Sequence, residues 1–596
     1  MAFIVVFVGV AGYGWANGQP HLLLTTWDAD SNGCGYNETT KDYPFLYFPA
    51  LDINAVKGQE GNTDRGFSAN SISDLFQYST CVKSCPKAEG AVECSITKFM
   101  KTTEKDYYKD CVFHLWKIDD GGEPFRYETS PLMGKFCVPS SEELTKNAFK
   151  AIYAQFQNLF GAIDVASYIG DVAATADVLL ISLASAFLIG FVYMIVLRLC
   201  GGPIIYLSIV AMILGTAFGG YMLFDTSTTM ATEGPDGTMS PNDDNYYYYL
   251  YGSYTVWGIS AVLLCCAICN LKNIRIGVAV MKCTAAFLGG TPQVFLMPIV
   301  ASAFLMVWLG VWCIISIYIV SIGELKQRTD GFTFLSEVVR TDETNYMWLY
   351  TLFGYLWINA FIIGVTQFII SAAAAIWYFS CSSDSNGSGS LMKGFYWVFR
   401  YHLGSIAVGS FLIALVQFIR IIFEYYKKQI QKMNKGNPVV KVILCCTSYL
   451  LDCLERFIKF ISKNAYIQIA ITGKNFCSAA WNAFILIIKN ALRFGTANSI
   501  GFIFNVIGVA FITAANFLIV YVLIHYVEAY KGRATNWITP CVVGGLEGLM
   551  IGSMFMSVFS FASDTILQSF LVDEELNRPD GSRPAIMNQF IEGVSK

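Results

Sequence analysis

Charge and histidine are what this sequence has least of. Only 14% of its 596 residues are Asp, Glu, Lys or Arg, against about 25% in ordinary soluble chains, which excludes a string of water-facing domains. Four histidines in the whole chain leave no histidine-rich metal centre. A formal net charge of −4 provides no basic footprint for nucleic acid. Neither the phosphate-cradling G-x-x-x-x-G-K-S/T nor the metalloprotease H-E-x-x-H occurs, so nothing indicates an enzyme, and no cofactor or metal is expected. What is abundant is apolar surface: 55% hydrophobic residues, with 45 Phe, 33 Tyr and 12 Trp, and a mean hydropathy of +0.48. A soluble core could not hide so much. The excess lies in long uncharged runs, which identify a polytopic membrane protein.

The first run, residues 2–15, is too short at 1.5 Å per residue to cross a hydrocarbon core of roughly 30 Å. No basic stretch precedes it and no small-residue cleavage pattern follows before Gly18, which argues against a secretion signal. Residues 1–16 are therefore read as the outer part of a first transmembrane helix whose cytosolic start is missing. Residues 17–163 turn polar, with 14 Lys/Arg and 19 Asp/Glu. Their six cysteines, Cys34, Cys81, Cys85, Cys94, Cys111 and Cys137, are an even number in an exposed, loop-rich segment and predict disulfides in an oxidising compartment. Spacing alone does not choose the pairing. The sequon Asn37-Glu38-Thr39 makes Asn37 a candidate glycosylation site.

Further apolar runs fall at 178–197, 204–224, 251–269, 296–322, 347–379, 403–423, 500–524 and 539–562. Residues 225–250 hold five acids and no Lys/Arg, whereas 272–293 hold Lys272, Arg275 and Lys282 and no acid. The positive-inside rule puts the first loop outside and the second in the cytosol, and with them the cysteine-rich domain outside. Residues 427–463 carry eight Lys/Arg against Asp452 and Glu455. Their charge places them in the cytosol, while counting crossings places them outside, so one more span is expected between 439 and 488. The expected fold class is an all-α polytopic membrane protein of about ten transmembrane helices. A large disulfide-bonded extracellular domain lies between helices 1 and 2, with a helical bundle over 164–566 and a cytosolic tail over 567–596.

Several polar or aromatic residues lie inside these runs. Trp308 and Trp312 are four apart and share a helical face. Gln417, Arg420 and Glu424 form one stripe of amide, cation and anion, with Arg420 and Glu424 placed to pair with each other, either permanently or as a gate. Small residues at Gly404, Ser405, Gly409 and Ser410 permit close helix approach. Glu547 lies in the last run; a carboxyl in apolar surroundings tends to have a raised pKa and could exchange a proton, or else hydrogen-bond to a neighbouring helix. Asn516 reads as an interhelical hydrogen-bonding group, and Asp177 and Tyr378 as interfacial residues. Cys445, Cys446 and Cys453 lie beside basic residues in an amphipathic stretch, as S-acylated or as ordinary buried thiols.

Ten local strings, in order, resemble the choline transporter-like family from end to end. They are GQP at 18–20 through DSNGCG at 30–35, CVKSCP at 81–86, CVP at 137–139, RYHLGS at 400–405 and ALVQ at 414–417. LERFIKF at 454–460, NAYI at 464–467, NFC at 475–477, DTIL at 564–567 and DGSRP at 580–584 complete them. The resemblance implies facilitated or exchange transport of choline, and of ethanolamine, without ATP hydrolysis. Trp312 falls on a family aromatic position, and Trp357, Asn359, Gln367 and the pair Trp377-Tyr378 fit the family's pattern. Glu547 departs from it, standing where the family has a small residue.

Choline's trimethylammonium group has no N–H to donate, so aromatic faces must solvate it, each desolvated contact contributing about 2 kcal/mol. The expected substrate-binding residues are accordingly Trp308, Trp312, Trp357, Asn359, Gln367 and Gln417, and the gating or coupling residues Arg420, Glu424 and Glu547. The expected partners are choline or a related organic cation and membrane lipids, with no nucleic acid; the expected location is the plasma membrane, an organelle membrane being the alternative. A competing reading is a non-transporting membrane scaffold or accessory subunit whose ectodomain binds a protein partner.

Overall fold

A computed structural model describes residues 2–28, 31–50, 78–86, 129–132, 134–139, 172, 174–229, 231–233, 239–241, 246–327, 336–380, 389–433, 438–531, 533, 536–576, 583–584 and 587. Cys94 and Cys111 lie outside the described residues. In chain order the helices begin with α1 (Ala2–Asn17), α2 (Ala176–Thr229), α3 (Tyr246–Cys269), α4 (Leu271–Gly290), α5 (Leu296–Val320) and α6 (Asp342–Ser380). They continue with α7 (Ser390–Trp397), α8 (Leu403–Met433), α9 (Pro438–Thr472), α10 (Phe476–Lys489), α11 (Ala491–Tyr526) and α12 (Ile538–Glu575).

Among the described residues, eight helical segments are long and apolar enough to cross a membrane, and each coincides with one of the eight runs after residue 164. Two of them, Ala176–Leu199 and Gly202–Thr229, belong to α2, which contains Pro203; proline removes a backbone donor and crowds the preceding turn, so it marks the joint between the spans. The shorter apolar helices are Ala2–Asn17 and Phe476–Lys489. The second lies in the interval where one more span was expected. The chain is thus a multi-pass, mainly helical membrane protein.

By internal packing the chain divides into two compact units, Met1–Val165 with Trp308–Tyr355, and Ala166–Val307 with Leu356–Lys596. In the first, uncharged α1 packs by aromatic contact. Phe3 lies 4.9 Å from the ring of Tyr350, whose hydroxyl donates to the Phe3 carbonyl at 3.0 Å; Phe7 lies 5.7 Å from Trp308, and Trp15 stacks on Tyr318 at 4.5 Å. Gly18 is needed where the helix ends, because a β-carbon there would run into the Tyr318 carbonyl.

The cysteine-rich segment forms a four-stranded sheet ordered β2-β1-β4-β3 from β1 (Phe45–Ala50), β2 (Tyr78–Val82), β3 (Thr129–Leu132) and β4 (Phe136–Pro139). Strands β1 and β4 run parallel and the other neighbours antiparallel. Two disulfides fasten it, Cys34–Cys81 and Cys85–Cys137. Closing loops of 47 and 52 residues contributes about 4 kcal/mol each on the chain-entropy account. Asn37 sits half-buried in the turn beside them, its Oδ1 accepting from the Gly33 amide at 3.3 Å, with Glu38 and Thr39 exposed.

In the second unit the most enclosed elements are α4, the C-terminal half of α12 and the end of α9. Helix α4 carries Lys272, Arg275 and Lys282 yet buries Val278, Met281, Phe287 and Leu288, so a stretch read as a cytosolic loop is a core helix with a charged edge. Helix α12 does not stop near 566; it runs to Glu575 with Ile566, Gln568, Phe570 and Leu571 buried. The expected start of the tail at 567 therefore falls inside a packed helix. Its buried amides are satisfied across to α9: Gln468 donates to Gln568 at 3.0 Å, and Gln568 to Asn464 at 2.7 Å. Tyr378, read as interfacial, is fully buried, as is the alanine run 372–375 before it.

Helices α6, α8 and α9 meet at small residues. A β-carbon on Gly364 would lie 3.0 Å from Ile406 and 3.2 Å from both Ser410 and Tyr466, and one on Gly409 would lie 2.6 Å from the Tyr466 hydroxyl. Gly409 and Ser410, picked out as a small face, thus form the seat for Tyr466.

Candidate functional site

In the first unit the two indoles of α5 bracket one tyrosine of α6. The Trp312 ring lies 4.6 Å from that of Tyr355 between centroids, tilted by 30°, and the Trp308 indole N–H donates to the Tyr355 carbonyl at 3.4 Å. Trp308 also faces Phe7, so four rings gather on three helices. Within this apolar cluster, the Trp312 Nε1 and the Ser316 Oγ are buried and have no hydrogen-bond partner among the described residues. Residues four apart share a helical face, so an unused indole donor and an unused hydroxyl stand one turn apart. An unpaired buried polar group costs about 1–3 kcal/mol. Tyr355, Phe7 and Ser316 were not singled out in the sequence; Ser316 is legible as the i+4 neighbour of Trp312, whereas Phe7 is placed only by tertiary packing.

Trp357, Asn359 and Gln367 belong to the second unit. Trp357 donates its indole N–H to the Ala407 carbonyl at 3.1 Å and meets Phe411 edge-on at 5.3 Å, two contacts of α6–α8 packing. Asn359 and Gln367 are half-buried, and their side-chain amides have no hydrogen-bond partner among the described residues.

The stripe of Gln417, Arg420 and Glu424 pairs outward from α8 to α9 rather than along itself. Glu455 accepts from Arg420 Nη1 at 2.6 Å, from Lys459 Nζ at 2.6 Å and from Gln417 Nε2 at 3.2 Å. Arg420 also reaches Asp452 at 2.9 Å. Glu424 instead holds Lys427 at 3.1 Å and accepts from the Ser448 hydroxyl at 2.5 Å. The expected Arg420–Glu424 pair is therefore replaced by two separate clamps, because α9 offers Arg420 a carboxylate with better geometry. Gln417 likewise points its amide at Glu455. Burial alone would push the Glu455 carboxyl up, but the hydrogen bonds from Lys459, Arg420 and Gln417 outweigh it and hold its pKa at about 2.

Glu547 has a different setting. It accepts a hydrogen bond from the Ser182 hydroxyl of α2. Next to this pair, Asn516 of α11 donates to the Gly544 carbonyl at 2.7 Å and to Ser182 at 3.5 Å, and accepts from Ser185 at 2.8 Å. Ser182 and Asn516 are fully buried. Three spans thus share a neutral hydrogen-bonded cluster around one carboxyl, and no Lys, Arg or His among the described residues pairs with it. The helices approach closely here because Gly544, Gly548 and Gly552 recur every fourth residue on α12; a β-carbon on Gly548 would lie 3.0 Å from the Thr513 Cα and 3.1 Å from the Ile512 carbonyl of α11. That small-xxx-small repeat was legible in the sequence and was passed over.

Asp177, at the start of α2, accepts from Arg533 at 2.8 Å in a half-exposed pair. Among the described residues no three His, Cys, Asp or Glu gather closely enough to hold a metal ion.

Residues 254–575 match the family described as plasma-membrane choline transporter. Over its length the chain is similar to choline transporter-like protein 4 of Rattus norvegicus, 25% identical over 98% of this chain and 90% of that one. It is similar to choline transporter-like protein 1 of Rattus norvegicus at 22% over 100% and 91%. Choline transporter-like protein 2 of Dictyostelium discoideum is 31% identical over 57% of this chain and 53% of its own length. These relatives are named as transporters, not as enzymes.

Proposed function

The chain belongs to the choline transporter-like family, and we propose that it carries choline or a related organic cation, ethanolamine included, across the membrane by alternating access. What carries this reading is the family match over more than half of the chain together with relatives aligned along nearly all of it. The family description supports the plasma membrane as its location.

Chemistry inside the chain supports the substrate class. The ring cluster of Phe7, Trp308, Trp312 and Tyr355 supplies π-faces within a span, which suit a cation that cannot donate a hydrogen bond. The unused Trp312 Nε1 and Ser316 Oγ suit the hydroxyl end of the same molecule. Trp312 and Tyr355 lie against each other, so the cation takes their remaining ring surface or enters as the pair opens. In the second unit, Asn359 and Gln367 carry side-chain amides with no partner among the described residues, groups of the kind that line a water path.

Glu547 is the residue we assign to proton exchange. Its cluster holds neutral partners only: Ser182 directly, with Ser185, Asn516 and the Gly544 carbonyl beside it. A carboxyl of this kind changes charge without breaking an ion pair, which is what a load-and-release step requires. Arg420 and Glu424 act as parts of the α8–α9 clamps, whose breaking and remaking would accompany the conformational change. Asn37 carries an N-linked glycan on the extracellular domain.

The test is labelled choline uptake into proteoliposomes of the purified chain. Uptake that saturates with choline and falls in Trp312→Ala supports the reading. Uptake equal to that of empty vesicles favours a scaffold, and uptake that never saturates favours a passive pore.

A further inference from the structure

Helix α9 has two unlike faces over 438–460. One is polar and engaged: Ser448, Asp452, Glu455 and Lys459 meet the α8 side chains described above or each other. The other is apolar and exposed, with Val439, Val442, Ile443, Tyr449, Leu450 and Phe457 spaced at three and four residues; Tyr449 is 73% and Leu450 66% exposed. Because the charged face interrupts it, α9 is not among the segments apolar enough to cross a membrane. A long helix with one charged and one apolar face lies along the membrane surface instead.

Charge specifies which surface. Residues 427–463 hold eight Lys/Arg and only Asp452 and Glu455 as acids, and both acids are already paired with Arg420, Arg456 or Lys459. Lys428, Lys432 and Lys441 have no ion-pair partner among the described residues. Such cations, Lys441 on α9 and Lys428 and Lys432 near the end of α8, together with the exposed apolar stripe of α9, match a leaflet of anionic phospholipid.

Two cysteines lie in the stripe itself. Cys446 falls between Val442 and Tyr449, and Cys453 between Leu450 and Phe457, in step with the three-and-four spacing, and both are exposed. Cys445 is also exposed, but it is in step with Ser448 and Asp452 and so flanks the polar face. Cys283 and Cys541, by contrast, are buried in helix packing.

We propose that the outer face of α9 lies in the headgroup boundary of an anionic leaflet and that Cys446 and Cys453 are S-acylated there, Cys445 not. In each modification the cysteine sulfur attacks the carbonyl carbon of a long-chain acyl thioester such as acyl-coenzyme A. A new carbon–sulfur bond forms, the bond to the departing thiol breaks, and the proton lost by the cysteine ends on that thiol. No oxidant or reductant takes part. The acyl chain then extends the apolar stripe into the leaflet, supplying the second anchor that a surface helix needs.

The test uses the full chain from eukaryotic cells, with free thiols blocked, thioesters cleaved by neutral hydroxylamine and the released thiols tagged with a maleimide polymer. Wild type is expected to show two hydroxylamine-dependent mass steps that disappear in the Cys446→Ser, Cys453→Ser double variant and persist in Cys445→Ser. Serine at these exposed positions leaves the packing intact, which elution of the variant as a single species checks. No hydroxylamine-dependent step, a loss of fewer than two steps in the double variant, or loss in Cys445→Ser overturns the proposal.

Discussion

Two carboxyl groups in the same unit, one buried and one half-buried, are held in opposite ways. Glu455 accepts from a guanidinium, an ammonium and an amide, whereas Glu547 accepts from one uncharged hydroxyl, that of Ser182, which has the neutral Asn516 amide beside it. The first setting fixes the ionised form. The second offers no charged partner among the described residues. Charged residues within a membrane protein are therefore not one class: one is held by matched charges and is architecture, the other by neutral groups, which is the setting the proposed coupling role rests on.

The largest effect is expected where α11 and α12, two of the three helices carrying the neutral cluster, touch. Gly548→Val would place methyl groups against the Thr513 Cα and the Ile512 carbonyl, at positions already 3.0 and 3.1 Å from a single β-carbon. A loss of about 3 kcal/mol is expected from overpacking, read as a lower unfolding temperature in detergent.

Next comes the charged clamp. Glu455→Ala leaves Arg420 and Lys459 without their shared carboxylate; since both cations reach solvent (42% and 49% exposed), the cost is about 2 kcal/mol, less than for a fully buried pair. The same clamp sets a pH dependence. The Glu455 pKa is lowered from 4.5 to about 2, so its stabilisation is full above the unfolded value and is lost as pH falls from there toward the folded one. Wild type should lose unfolding temperature between about pH 4.5 and 2 more steeply than Glu455→Gln; equal slopes would show that the clamp does not hold the charge.

The smallest stability effect is expected at Glu547. Glu547→Gln keeps an acceptor for Ser182, so unfolding should change by less than about 0.5 kcal/mol. Choline uptake should lose its response to an imposed pH gradient. A variant that keeps the wild-type response would remove Glu547 from coupling and make its cluster architectural like that of Glu455.

The same contrast explains what could be read before any coordinates. Spans facing lipid, such as α5 with Phe304, Met306 and Val307 exposed, announce themselves by uninterrupted hydropathy, and all eight long runs are helices. Helices that carry charge do not: α4 and α9 hold Lys272, Lys282, Glu455 and Lys459, which lowers their mean hydropathy below that of a span. Candidate residues were legible by type, since Trp312, Arg420 and Glu547 are conspicuous in apolar runs. Their partners were not, because Ser182 is 365 residues from Glu547 and Glu455 is 35 from Arg420. Local spacing favoured Glu424 for Arg420, and the tertiary fold supplied a better acceptor. The disulfides follow the same pattern: six cysteines predicted cross-links, and only the sheet brings Cys34 to Cys81 and Cys85 to Cys137.

The central claim is that aromatic faces inside a span receive an organic cation, and choline influx into proteoliposomes of wild type and Trp312→Ala tests it most directly. The account predicts saturable influx by wild type and, with one desolvated ring contact of about 2 kcal/mol removed, a drop of about 10-fold or more at low choline in the variant. Equal influx by the two proteins, with Trp312→Ala folded as wild type, would contradict it.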